Sequence, residues 1–121
     1  MAQSSTIYLG TELKLNLHIE PIIVPGDTLH KDVTLHMDDY DFTVWVYASS
    51  IKKAIVIPKQ QCIRVGKDDR IMRVDTAALG IGVVTCKVEA QIPDKDFKDK
   101  FKDKFRTEVV QINTGLIIVR A

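Results

Sequence analysis

Asp41-Phe42-Thr43-Val44-Trp45-Val46-Tyr47-Ala48 is a run of β-branched and aromatic residues, the side chains that fit a pleated surface best. Successive side chains of a strand point to opposite faces, which puts Phe42, Val44, Val46 and Ala48 on one face and Thr43, Trp45 and Tyr47 on the other. Both faces are largely apolar. A strand buried on one side alternates apolar with polar, so this one either lies in a sheet covered on both sides or keeps its second face for a partner.

Upstream, Glu12 to Glu20 alternates cleanly, with Leu13, Leu15, Leu17 and Ile19 facing a core and Lys14, Asn16, His18 and Glu20 facing water. A short strand over Ile7 to Leu9 precedes it. Pro21 and Pro25-Gly26 interrupt the ladder around Ile22 to Val24, because proline has no amide hydrogen to donate. Val33 to Met37 reads as a further short strand, closed by the acidic turn Asp38-Asp39-Tyr40-Asp41.

Downstream, Ala54 to Ile57 and Cys62 to Val65 read as a hairpin or a bent strand around Pro58, and Gly66-Lys67-Asp68-Asp69 as a tight turn. Ile71 to Val74 follows, then a corner at Asp75 to Gly80 with Asp75 as cap and Gly80 as stop. Ile81 to Ile92 is a second long strand whose inward set is Val84, Cys86, Val88 and Ala90. Glu108 to Ile112 and Leu116 to Val119 close the chain as two strands joined by an Asn113-Thr114-Gly115 hairpin turn. Between Ile92 and Glu108, residues 94–106 carry Phe-Lys-Asp-Lys twice in tandem. As a helix this segment would align Phe97, Phe101 and Phe105 in a stripe; as a loop its charges would be solvated.

Short strands separated by turns, with almost no helix, predict an all-β fold: one immunoglobulin-like antiparallel β-sandwich spanning residues 1–121, with a charged loop at 94–106. The order of cysteine and tryptophan found in antibody domains is absent, since Trp45 precedes both Cys62 and Cys86. Alternation points Cys62 outward, with Arg64, and Cys86 inward, with Val84 and Val88, so a reduced pair is expected rather than a disulfide.

A chain of 121 residues can bury a core without disulfides or metal, and a formal charge of +1 gives no field to hold nucleic acid. The first residues lack the basic and apolar runs of a signal peptide, and no stretch approaches the roughly twenty apolar residues of a membrane span, so neither secretion nor a membrane partner is expected. His18, His30 and His36 share the first third with Asp32, Asp38 and Asp39, but His18 falls on a solvent-facing strand position and the aspartates on turns. Exposed polar side chains are the better reading than zinc or calcium ligands. Gly80-Ile81-Gly82 lacks the third glycine and the helix of a dinucleotide site, and no nucleophile motif is present. The expectation is therefore a binding protein, with no enzyme activity, no cofactor and no metal. Trp45, Tyr47, Phe97, Phe101 and Phe105 are the candidate protein-interface residues, because aromatic side chains are the usual anchors of such contacts.

Several phrases in order carry a resemblance: Tyr8-Leu9-Gly10-Thr11, Asp41-Phe42, Val74-Asp75-Thr76 followed by Leu79-Gly80-Ile81-Gly82, Ile92-Pro93-Asp94 with Asp96-Phe97, and Arg106-Thr107-Glu108 leading to Thr114-Gly115. Together they resemble small immunoglobulin-like β-sandwich structural proteins of tailed bacteriophages, including crAss-like gut phages, and more remotely the immunoglobulin-like end of phage baseplate upper proteins. The tandem Phe-Lys-Asp-Lys departs from that pattern. The resemblance implies a virion structural protein assembled in the bacterial host cytoplasm: an auxiliary or decoration protein that docks on the capsid, its partners being other virion proteins or further copies of itself. A baseplate or tail adaptor and a carbohydrate- or cell-surface-binding module are the alternatives.

Overall fold

The computed structural model describes residues 5–93, apart from Asp27 and His30, and residues 105–120, with Phe105 described for its backbone alone. The chain forms an all-β sandwich. Its larger sheet has five strands: β1 (Ser5–Tyr8), β5 (Asp41–Tyr47), β6 (Ile55–Pro58), β9 (Gly82–Pro93) and β10 (Phe105–Val119), in the spatial order β1-β10-β9-β5-β6. Against it packs a sheet of three, β2 (Glu12–His18), β7 (Ile63–Gly66) and β8 (Asp69–Asp75), in the order β2-β8-β7. A small hairpin of β3 (Ile22–Val24) and β4 (Val33–Leu35) completes the fold. All pairings are antiparallel except β1 with β10, which run parallel. The expected antiparallel sandwich therefore holds with one exception at its edge.

The core is made where alternation predicts it. Phe42, Val44 and Val46 of β5, Val84, Cys86, Val88, Ala90 and Ile92 of β9, and Leu15 and Leu17 of β2 are all buried. Register explains why they meet: Phe42, Val44 and Val46 stand directly opposite Ala90, Val88 and Cys86, so one apolar stripe crosses both central strands. Leu15 lies opposite Met72, and Leu13 opposite Val74, which supply the facing layer.

Four sequence expectations need correction. Asn113-Thr114-Gly115 is not a hairpin turn; β10 runs through it as one strand beside β9, with a bulge between the paired residues Asn113 and Ile117. Gly115 takes φ 77° there, and its amide donates to Asn113 Oδ1 at 2.9 Å, so the local turn chemistry is real but kinks a strand instead of reversing it. Ile22 to Val24 pairs with β4 despite its flanking prolines, which lie outside the three paired residues. Met37 is not in β4 but begins a 3-10 turn, Met37–Asp39, in which Asp39 accepts from the His36 amide at 2.8 Å. Cys62 does not point out to solvent: it caps the 3-10 turn Lys59–Gln61 ahead of β7, so strand alternation does not govern it, and it packs on the edge of the core. Both cysteines are free.

β6 and β7 do not pair with each other. β6 belongs to the large sheet and β7 to the small one, so the chain bends from one layer to the other through Lys59–Gln61, which is the bent-strand alternative. The corner after β8 has the predicted cap: Asp75 Oδ1 accepts from the Ala77 amide at 3.0 Å, and Gly80 adopts φ 82°. Buried Thr76 adds a clamp, its hydroxyl donating to Thr11 O at 2.8 Å while accepting from the Gly10 amide at 2.9 Å. That single side chain ties the β1–β2 corner to the end of β8.

Candidate interaction surface

The second face of β5 is the outer face of the five-stranded sheet. Trp45 stands between Val56 on β6 and Lys87 on β9, and is half-buried by them. The Lys87 ammonium lies 5.5 Å from the centre of the indole ring, within cation–π range, and also bridges Glu89 at 3.0 Å. The Trp45 Nε1 atom is buried with no hydrogen-bond partner, the one side-chain polar atom so placed among the described residues. Tyr47 stands opposite Thr85, and its hydroxyl accepts from Gln111 Nε2, reaching across β9 to β10. Exposed Val56, Val83, Val109 and Tyr8 extend apolar surface across the same face, interleaved with Thr85, Glu89 and Gln91.

Trp45 and Tyr47 are thus brought together, on one face and two residues apart, with neighbours that hold both rings in place. Phe97 and Phe101 lie outside the described residues. Phe105 opens β10 opposite Pro93.

A second cluster, not foreseen from the sequence, closes one side of the sandwich. Arg70 is buried at 3% exposure, and its guanidinium donates to Asp38 Oδ1 at 2.6 Å, Gly66 O at 2.8 Å and Asp69 O at 3.0 Å. Arg64 grips the same carboxylate, Nε to Oδ1 at 2.9 Å and Nη2 to Oδ2 at 2.8 Å. Arg64 and then Arg70 hold the Asp38 carboxyl well below the usual carboxylate range. Lys59 donates to Asp38 O and Tyr40 O, and His36 Nδ1 pairs with Asp68 at 2.9 Å. Asp38 was legible only as a turn former; the missing signal was Arg70, which falls in phase with Met72 and Val74 and so had to enter the core with a carboxylate.

These groups are engaged with one another. His18 bonds Asp69 at 2.8 Å through Nδ1 and Glu20 at 3.0 Å through Nε2, so the two carboxylates sit at opposite ends of the ring and do not converge on a single point. No group of three or more histidine, cysteine or acidic residues among the described residues is placed to hold a metal. Burial pushes the Cys86 thiol up to about 11 and raises that of Cys62, keeping both sulfurs protonated at neutral pH. No helix among the described residues is long and apolar enough to cross a membrane. Comparison with known proteins returns no match: no family model, no curated protein and no solved structure matches the chain.

Proposed function

We propose that the chain is a docking module of a larger particle, a virion structural protein of the auxiliary or decoration type that seats the outer face of its five-stranded sheet on the capsid shell. The observation that carries the docking part is that face itself. Trp45 and Tyr47 are pinned by neighbours and flanked by exposed valines, a set of fixed aromatic anchors among apolar side chains that suits a protein partner. Its phage setting rests on the ordered phrases from Tyr8-Leu9-Gly10-Thr11 to Thr114-Gly115. Each copy would bury a modest patch, and a symmetric lattice of sites would turn weak contacts into avidity.

A sugar-binding module would use the same aromatics, but it needs an open ring face for stacking. Lys87 lies over the indole, which favours a protein contact over a glycan. Cryo-electron microscopy of particles from the phage whose genome encodes this chain tests the proposal. Sandwich-sized density on the shell, with the Trp45 face turned inward, is the expected result. Density at the baseplate would replace the capsid assignment by the tail-adaptor one, and absence from purified particles would overturn both.

A further inference from the structure

Among the described residues the β3–β4 hairpin shares no backbone ladder with either main sheet; Ile22 and Leu35 pack on the core while Ile23 and Val33 stay exposed. Both ends of this arm are tied to one place, the turn from β7 into β8 at residues 66–69. At the first end the Ile19 amide donates to Asp68 O at 3.1 Å, and His18 Nδ1 meets Asp69 Oδ1 at 2.8 Å. At the second end the Asp38 amide donates to Lys67 O at 3.2 Å, and His36 Nδ1 meets Asp68 Oδ2 at 2.9 Å. Each end therefore has one backbone bond and one histidine, the histidines resting on consecutive aspartates. They differ in what they require of a proton. His18 also sets Nε2 3.0 Å from Glu20 Oε1, so both of its ring nitrogens point at carboxylates. An ionised carboxylate only accepts and a neutral imidazole has a single N–H, so the two bonds exist together only in the doubly protonated, charged ring. Among the described residues His36 uses Nδ1 alone, on the two oxygens of Asp68. A neutral ring with its proton on Nδ1 makes that contact as well as a charged one.

We propose that the β3–β4 hairpin is a proton-clasped strap: charged His18 holds its first end on the turn from β7 into β8, and when His18 loses its proton that end loosens while His36 keeps the second end in place. Without the proton, one ring nitrogen turns a lone pair toward a carboxylate, and an attraction becomes a repulsion. The charged groups that face His18 are Asp69 from β8, Glu20 where the chain leaves β2 and, farther along β2, Lys14. From β10, across the open seam between the two sheets, come Asn113 and Thr114, which do not titrate. His36 faces Asp68 from the turn and Asp39, whose carboxylate accepts the His36 amide; the nearby Arg64 and Arg70 are engaged with Asp38, and Lys59 with the Asp38 and Tyr40 carbonyls. Hydrogen bonding to Asp69, then to Glu20, raises the His18 pKa, so the clasp is complete below about pH 6.5 and is lost as pH rises through the raised value. The bridge is exposed and screened, so its loss biases the strap toward opening without unfolding the domain. Ile19, Ile22 and Leu35 pack on the core beneath the strap, so loosening it uncovers apolar surface. The inference does not rest on the docking reading of the Trp45 face.

The test follows amide hydrogen exchange of the full chain at pH 5.5 and pH 8, expressed as protection factors so that the intrinsic pH dependence of exchange drops out. The Ile19 amide reads the first end of the strap and the Asp38 amide the second. Ile19 is expected to lose protection about threefold at pH 8, the size of one exposed ion pair, while Asp38 and the core amide of Val88 keep theirs. His18→Gln is expected to abolish the pH dependence at Ile19. Glu20→Gln, whose amide can donate to the lone pair of the neutral ring, is expected to hold Ile19 as well protected at pH 8 as at pH 5.5. The proposal is overturned by equal Ile19 protection at both pH values in the parent chain, by a pH dependence that survives His18→Gln or Glu20→Gln, or by one that His36→Gln abolishes. It is overturned equally by a matching loss at Asp38 and Val88, which would mean that the whole domain loosens.

Discussion

The two sides of the sandwich are built on opposite plans. On one side β6 bends directly into β7, and the junction is fastened by Arg70, Asp38 and Arg64, with Lys59 bonded to two carbonyls beneath. On the other side the chain crosses between the layers from β1 to β2 and from β8 to β9, the two corners tied by Thr76, and beyond them β2 and β10 face each other across an open cleft. The closed side shows what a buried charge demands: Arg70 enters the core with its guanidinium bonded to the Asp38 carboxylate and to the Gly66 and Asp69 carbonyls. The open side shows what an unfinished sheet leaves behind, which is apolar wall beside a strand edge without a partner among the described residues. A fold can therefore spend its polar residues on sealing one edge and keep the other available.

The sharpest way to break this contrast is Arg70→Ala. It leaves Gly66 O and Asp69 O without their donor and empties the space over the Phe42 ring, 6.0 Å away, so the loss should be about 3 kcal/mol, read by urea unfolding. An unfolding midpoint close to that of the parent chain would mean that the closed side is held by packing alone.

Next in size is a matched pair across one ladder position. Val88→Thr places a hydroxyl in the dry core and should cost about 2 kcal/mol, whereas Val110→Thr, opposite it on the same face, should stay within about 0.5 kcal/mol. Equal costs would show that the inner face of β10 is covered in solution, and the open seam would then be lost as an explanation. Smaller again is Gly115→Ala, about 1 kcal/mol, because a side chain at φ 77° is strained whatever space surrounds it. A neutral result there would mean that the bulge shifts its position easily.

Much of this was legible in the residues. Phe42, Val44 and Val46 on one strand and Val84, Cys86 and Val88 on another declare the core by period alone, and both long strands lie where alternation puts them. Asn113-Thr114-Gly115 was not legible as a bulge, because an asparagine-to-amide turn with a left-handed glycine forms equally well within a strand and between two; only the ladder with β9 distinguishes them. The Asp38 cluster was hidden for another reason. Its members lie as far as 32 residues apart in sequence, and only the fold converts a turn aspartate and two strand arginines into one ion network. The Trp45 face was visible as aromatic content, yet the Lys87 ammonium over the ring, which bears on the choice between protein and sugar, depends on the β5–β9 register.

The smallest effect is electrostatic, and it has opposite signs on the two sides. Hydrogen bonds from Asp69 and then Glu20 raise the pKa of His18 above its ordinary value, so this pairing contributes fully below about pH 6.5 and is lost as pH rises through the folded-state value. Asp38 is shifted the other way, so its contribution is present above about pH 4 and is lost as pH falls through its depressed value. His18→Gln should therefore be more destabilising at pH 5.5 than at pH 8, by a modest amount because His18 is exposed and its pairs are screened. Asp38→Asn should cost more at pH 7 than at pH 2. Denaturant unfolding across this range, with His36 kept in every variant, separates the two. If the His18→Gln difference does not change between pH 5.5 and pH 8, the rim of the open side is not held by a charged histidine, and the electrostatic half of the comparison fails while the packing half survives.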